Sequence, residues 1–214
     1  MSHQMAPWIP MFIQSCKNNT EPFVSFQFAT VDELTNKPRC RTVVFRDFLF
    51  HDKRTNVLTF NTDMRSSKIT ESFITPNSNN SSDSKRCETP FFEACFYFPE
   101  TWEQYRFSGQ CFTISKQFKK IPAEIVTKHT KSLYRKPAPG QKLTSETSKQ
   151  LDKLHRGVDG AKEDAGLENF GIVCLCVDSV DFLNLKEGRG GERWIFQKTD
   201  GKDEDLWEEQ EVCP

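Results

Sequence analysis

The 214-residue chain lacks any apolar run long enough for a membrane-spanning helix. Its opening, MSHQMAPWIPMF, lacks the basic segment and long apolar stretch of a secretory signal. The final Cys213-Pro214 is not a prenylation box. Neither G-x-G-x-x-G nor G-x-x-x-x-G-K-[ST] occurs, which removes the two commonest glycine-rich phosphate loops. No charge sign dominates: Lys+Arg number 29 and Asp+Glu 30. A near-neutral chain has no global field for nucleic acid or a membrane surface, so neither partner is expected. No internal repeat is visible.

Metal ligands are also scarce. The eight cysteines include no C-x-x-C pair, and the four histidines are scattered. Cys174 and Cys176 share one face of the apolar run GIVCLCV, but a metal centre needs further clustered ligands, so none is expected. The cysteines read as reduced thiols in a reducing compartment. The expected location is the cytoplasm, with the nucleus also compatible.

What is present fits one domain, residues 1–214, with a real core. Met5 to Cys16 places Trp8, Ile9, Phe12, Ile13 and Cys16 at helical spacing; Pro10 pushes the start later, and Asn18-Asn19 ends the helix. FVSFQFA, Phe23 to Ala29, alternates as a half-buried strand. A turn at Asn36-Lys37-Pro38 leads to a strand from Cys40 to Phe45, and a third strand covers Val57 to Asn61. The stretch 75–90 reads as a mobile polar loop. PFFEACFYF and QYRFSGQCFTIS alternate around a PETWE turn, which predicts a hairpin. From Phe118 to Gly166 the chain is polar and Lys-rich, with a helix predicted over Ser145 to His155. Strands resume in GIVCLCVDSVDFLNL and ERWIFQK around a glycine-rich EGRGG turn, and the tail 199–214 is acidic and expected to be exposed. Strands joined mostly by short turns predict a mainly β, α+β chain: an antiparallel barrel with peripheral helices.

The stretch richest in chemistry runs from Arg41 to Lys68, RTVVFRDFLFHDKRTNVLTFNTDMRSSK. One strand carries a basic residue at each end, Arg41 and Arg46. A second strand follows, and Ser66-Ser67-Lys68 then opens a helix. Cations and hydroxyls gathered near a helix start can hold a phosphate. Taken singly, the same residues also read as solvated strand-end charges and a helix cap.

Four blocks in order, RTVVFR, TFNTDMRSSK, WEQYRFSG and RGGERW, resemble the pyridoxamine 5'-phosphate oxidase-like flavoproteins over residues 5 to 197. APWIPMF is similar to the opening helix of an FMN-binding subgroup of that family. The resemblance implies an FMN-binding split β-barrel of antiparallel Greek-key type, a homodimer with FMN at its interface. It implies that Arg41 meets the FMN phosphate and that Thr42, Val43 and Val44 run along the isoalloxazine edge. Arg46 falls near flavin and substrate. Asn61 and Thr62 match an aromatic-Thr pair beside the ring, and Ser67 and Lys68 a phosphate-binding Arg-Lys pair. Gln104 matches a glutamine reaching the flavin from the other protomer, and Arg193 the final cofactor arginine. Each residue alone is ordinary; their joint order carries the reading. The chemistry agrees with it: a phosphate monoester bears about two negative charges. Arg41 offers it a rigid fork and Lys68 a point charge.

The chain also departs from the pattern. Where oxidases carry an R-x-H that contacts substrate, this sequence has Arg189-Gly190-Gly191. Leu183 replaces a flavin-packing tryptophan, and Ser67 replaces the arginine of the phosphate pair. Arg46, Tyr134 and Arg189 are the candidate substrate residues, with Arg135 beside them, although the spacing of Tyr134 and Arg135 differs from that of a working oxidase. KPAPG resembles the subgroup's P-x-P-G, while the segment before it is short near Lys128 and His129. The expected function is an FMN-dependent oxidoreductase of unknown substrate, acting on a small phosphorylated ligand, with pyridoxamine-phosphate oxidation disfavoured. The alternatives are a non-catalytic FMN or pyridoxal-phosphate binding or storage protein, and a scaffold that kept the fold and lost the ligand. No catalytic residue is assigned.

Overall fold

The computed structural model describes residues 4–32, 35–72, 90–115, 134–155, 165–186, 190–199 and 206–214. Among them are helices α1 (Ile9–Asn18), α2 (Ser67–Ser72) and α3 (Ser145–His155). The strands are β1 (Ser25–Asp32), β2 (Lys37–Phe48), β3 (Val57–Asp63), β4 (Phe91–Phe98), β5 (Glu103–Ser115), β6 (Phe170–Asn184), β7 (Glu192–Thr199) and β8 (Leu206–Val212). They form one sheet in the order β3-β2-β1-β4-β5-β6-β7-β8, and β3 also pairs with β6. That extra pairing closes β1 to β6 into a six-strand barrel, from which β7 and β8 extend. β1, β2 and β3 run as a meander, and β4 returns beside β1, the Greek-key arrangement. The registered pairings of β1 with β2 and β4, of β2 with β3, of β4 with β5, and of β7 with β6 and β8 are all antiparallel. The architecture is the expected split β-barrel with peripheral helices.

Two elements differ in extent from their sequence signals. β2 begins at Lys37, so the turn before it is tighter: Asn36 takes the left-handed conformation there, with φ 52°. Asparagine tolerates that region better than other side chains do. The acidic tail contains β8, which pairs with β7 from Arg193↔Val212 to Thr199↔Leu206. Its Glu208, Glu209 and Glu211 are exposed, so it lacks the apolar alternation that marks a strand in a sequence. The loop 75–90 lies outside the described residues except for Pro90. Lys128, His129 and Arg189 lie outside them as well.

The chain divides into two compact units. One comprises Met1–Phe60, Thr89–Phe112 and Cys174–Pro214. Its core is aromatic because the inward positions of β1, β4 and β5 are largely Phe and Tyr. Phe26 stacks on Phe96 at 4.2 Å. Helix α1 starts with Pro near its first position, where the missing N–H costs nothing. It buries Ile9 and Phe12 completely, and Trp8 just before it is buried as well. Phe12 meets Phe96 at 5.0 Å and Phe107 at 5.1 Å, edge to face, a geometry that adds to plain area burial. The Ser15 hydroxyl pairs with the buried Tyr105 hydroxyl at 2.8 Å, so neither is left unsatisfied.

The other unit comprises Asn61–Glu88 and Thr113–Val173. Here the Tyr134 ring packs edge-on against Phe170 at 5.1 Å. The Met64 amide donates to the Asn169 carbonyl at 2.8 Å, just beyond the end of β3. α3 occupies the range its apolar stripe predicts.

Candidate functional site

The candidate phosphate ligands fall in both units. On β2, Arg41 is half-buried and its guanidinium is already engaged. Its Nη1 donates to Thr30 Oγ1 at 2.9 Å and to the Arg39 carbonyl at 3.1 Å. The carbon of the guanidinium lies 5.6 Å from the centre of the Phe28 ring. Thr42 is exposed, whereas Val43 and Val44 are half-buried. A register shift between Phe45 and Asp47 interrupts the pairing with β3, and the exposed Arg46 stands at that bulge. Bulges re-aim side chains, so the position suits a functional cation.

In the second unit, β3 and the turn after it build a compact donor group. The Lys68 ammonium donates to Ser66 Oγ at 3.0 Å and to Thr62 Oγ1 at 3.2 Å. The two hydroxyls are 3.4 Å apart, and both residues are buried. Ser67 is exposed and no hydrogen bond of its hydroxyl is recorded among the described residues. The Lys68 ammonium is thus brought to Thr62 and Ser66, and its neighbour Ser67 is not part of that group. Asn61 is half-buried on the same strand.

Arg65 is a residue the sequence reading passed over. Its Nε and Nη2 grip the Asp63 carboxylate at 3.0 and 2.7 Å. Nη2 also reaches the carbonyls of Tyr134 at 3.3 Å and Lys136 at 2.9 Å. The Asp63 contact pushes the guanidinium further toward the charged state. Arg65 thus pins the turn that presents Ser66 and Lys68. The Asp63-x-Arg65 spacing is a local signal for half of this clamp; the two carbonyls are far away in sequence.

The Tyr134 carbonyl also accepts from the Asn169 amide at 2.9 Å. With its ring on Phe170, Tyr134 serves the packing of the unit. Arg135 lines an open cleft of about 510 Å³ with Arg65, Lys153 and Glu168.

In the first unit, one face of β4 to β7 carries four linked charges. Arg193 grips Asp181 through Nε at 2.9 Å and Nη2 at 2.8 Å. Arg106 reaches the same carboxylate from β5 at 3.4 Å and holds Glu93 of β4 at 2.9 Å. Gln104 stands two residues before Arg106 on that face of β5 and is half-buried.

Gly191 explains one departure from the oxidase pattern. It has φ 115°, and a Cβ there would lie 3.0 Å from the Asn184 carbonyl oxygen and 3.2 Å from Pro214 Cβ. Its positive φ strains any other residue, and a side chain there would crowd the Asn184 carbonyl. Leu183 pairs with Arg193 across β6 and β7.

In the second unit, the Lys68 ammonium, with the Ser66 and Thr62 oxygens accepting from it, is a cation of the kind that meets a phosphate monoester. The closed Greek-key sheet is that of the split-barrel class. The family described as "Pyridoxamine 5'-phosphate oxidase, FMN-binding domain" matches residues 5–115. An uncharacterized protein of Saccharomyces cerevisiae is 72% identical over 297 aligned positions, covering 100% of both chains. Pyridoxine/pyridoxamine 5'-phosphate oxidase 2 of Arabidopsis thaliana is 30% identical, again covering 100% of both. Among solved structures, a pyridoxamine 5'-phosphate oxidase-related, FMN-binding protein of Nostoc punctiforme superposes with a TM-score of 0.74 at 26% identity, covering 99% of this chain and 100% of its own. PhzG of Burkholderia lata shares the fold at a TM-score of 0.69 and 15% identity, covering 99% of this chain and 94% of its own. The chain belongs to the pyridoxamine 5'-phosphate oxidase family, by its FMN-binding domain. Of the candidate residues, those from Arg41 to Gln104 lie inside the matched range, and Tyr134 and Arg193 lie beyond it.

Proposed function

We propose that this chain is a flavoprotein that binds FMN at a homodimer interface and acts as an oxidoreductase on a small phosphorylated substrate. The observation that supports this best is the Thr62–Ser66–Lys68 group, inside the segment matched by the FMN-binding domain. Lys68, held by the Ser66 and Thr62 oxygens that accept from its ammonium, would meet the FMN phosphate, a role the resemblance also gives to Arg41. Gln104 and Arg193 would serve the ring, both from the second protomer. Bound FMN would supply hydride acceptance. Arg46, exposed at the β2 bulge, is a cation available to substrate, and the resemblance also offers Arg189 and Tyr134.

The activity in the Arabidopsis relative's name makes pyridoxine or pyridoxamine phosphate the first substrate to test. Gly191 argues against it, since it stands where such oxidases carry a substrate-contacting histidine and its positive φ would strain one. The same observation supports a second reading, in which FMN or pyridoxal phosphate is held without turnover.

Ligand identification on the protein as purified tests the proposal. A yellow protein absorbing near ~450 nm, with FMN released on denaturation, is the expected result. Colourless protein that excess FMN cannot reconstitute would overturn it. Anaerobic bleaching by pyridoxine phosphate separates the oxidase from the storage reading. A strict monomer in sedimentation at full FMN occupancy would remove Gln104 and the shared interface from the site.

A further inference from the structure

The charged face of β4 to β7 is built more carefully than a solvated surface requires. Two arginines on different strands converge on one carboxylate, and Asp181 is itself only 16% exposed. Arg193 spends Nε and Nη2 on Asp181. Arg106 spends Nε on Glu93 and Nη1 on Asp181. Each guanidinium therefore keeps one nitrogen, Nη1 of Arg193 and Nη2 of Arg106, with no hydrogen bond recorded among the described residues. The half-buried Gln104 amide on the same face of β5 is in the same condition. A guanidinium is a rigid planar fork, so gripping two of its nitrogens fixes the direction of the third. The four side chains sum to zero charge, so this face recognises acceptor atoms by placed donors rather than by a net field.

We propose that Asp181 is a positioning residue. It fixes Arg193 and Arg106 so that each offers its remaining nitrogen to the acceptor-rich edge of one ligand, and Arg106 joins Gln104 and Arg193 as a ligand-contacting residue. This rests on the FMN reading above, with the flavin ring as the ligand. Such an edge carries carbonyl oxygens and gains negative charge on reduction, which suits guanidinium donors.

Asp181→Asn distinguishes positioning from mere charge balance by the sign of its effect. The variant keeps the side-chain shape and adds one net positive charge to the face. If Asp181 only neutralises, an anionic ligand binds more tightly. If it positions, FMN binding weakens roughly tenfold or more, as for loss of a charge-assisted contact. The measurement is flavin-fluorescence titration of the full chain, with the thermal midpoint of the ligand-free protein confirming folding. A second readout needs no flavin: the Arg193 Nε–H resonance, assigned with Arg193→Lys, should be slow to exchange in the wild type and lost in Asp181→Asn. Asp181→Glu keeps the charge at a longer reach and should lose affinity by an intermediate factor; it also serves if Asp181→Asn fails to fold. Wild-type protein that takes up no FMN overturns the FMN reading and this proposal with it. Wild-type protein that binds FMN, with the Asp181 variants unchanged or tighter, overturns the positioning role alone.

Discussion

Ser66 and Ser67 show how much one residue decides. Both are serines beside the same lysine, yet Ser66 is buried with its hydroxyl 3.0 Å from the Lys68 ammonium, and Ser67 is exposed. The resemblance pairs Ser67 with Lys68, whereas the Lys68 ammonium donates to Ser66, which the turn held by Arg65 faces inward. Lys68→Ala should weaken FMN binding by about 1.5–3 kcal/mol and Ser66→Ala by about 0.5–1.5 kcal/mol. Fluorescence titration reads both, and a Ser67→Ala effect larger than that of Ser66→Ala would contradict the assignment. Gly191 makes a different point. Sequence presents it as a missing histidine, a simple deletion of function. The positive φ and the nearby Asn184 carbonyl show a backbone that favours glycine. Gly191→His should cost about 1–3 kcal/mol in urea unfolding and bring no turnover of pyridoxine phosphate. Restored turnover would mean the substrate side had been misjudged. The Asp181–Arg193 pair was not legible in the sequence, since it depends on the β6–β7 register rather than on any local spacing.

Elements were legible where one face is apolar and the other polar. The alternation FVSFQFA marks β1, and the hairpin of β4 and β5 follows from PFFEACFYF and QYRFSGQCFTIS. β8 was not legible because LWEEQEV is polar on both faces, so no period-two signal survives. Its acidic side chains suit an edge position, where charge discourages pairing with another chain. β5 contains a second close approach. A Cβ on Gly109 would lie 2.1 Å from the Cys176 carbonyl oxygen on β6. That neighbour is backbone and cannot swing aside, so the strands would have to separate. Gly109→Ala should therefore cost about 1–3 kcal/mol, the usual range for overpacking, seen as a lowered thermal midpoint. An unchanged midpoint would show that the two strands are not in such contact.

At the scale of the whole molecule, the half-buried Cys16 and buried Cys174 thiols tie stability to alkaline pH. Burial raises Cys16 from its ordinary 9.0 to about 12, and Cys174 likewise to about 12. Between those values the unfolded chain has released these protons and the folded chain still holds them. The folded state binds more protons there, so stability falls as pH rises from 9 toward 12. Urea unfolding at stepped pH should show this fall, and Cys16→Ala should flatten it. A profile that Cys16→Ala leaves unaltered would place the titration elsewhere. The barrel class was legible because the strands are mostly joined by short turns; its closure was not, because β3 and β6 carry no mutual signal in sequence.

That closure also governs how the chain folds. β3 must wait for β6, about a hundred residues further on, to cover its second edge. Hairpins such as β4–β5 form locally and early, whereas the seam is won only after a long loop has been closed against its entropy. Refolding followed by stopped-flow fluorescence should be slow, in the range of non-local β topologies rather than of helical bundles. A microsecond phase accounting for the whole signal would contradict it. Until the seam forms, β3 is a bare template strand, and this interval is when two unfinished copies are most exposed to joining each other.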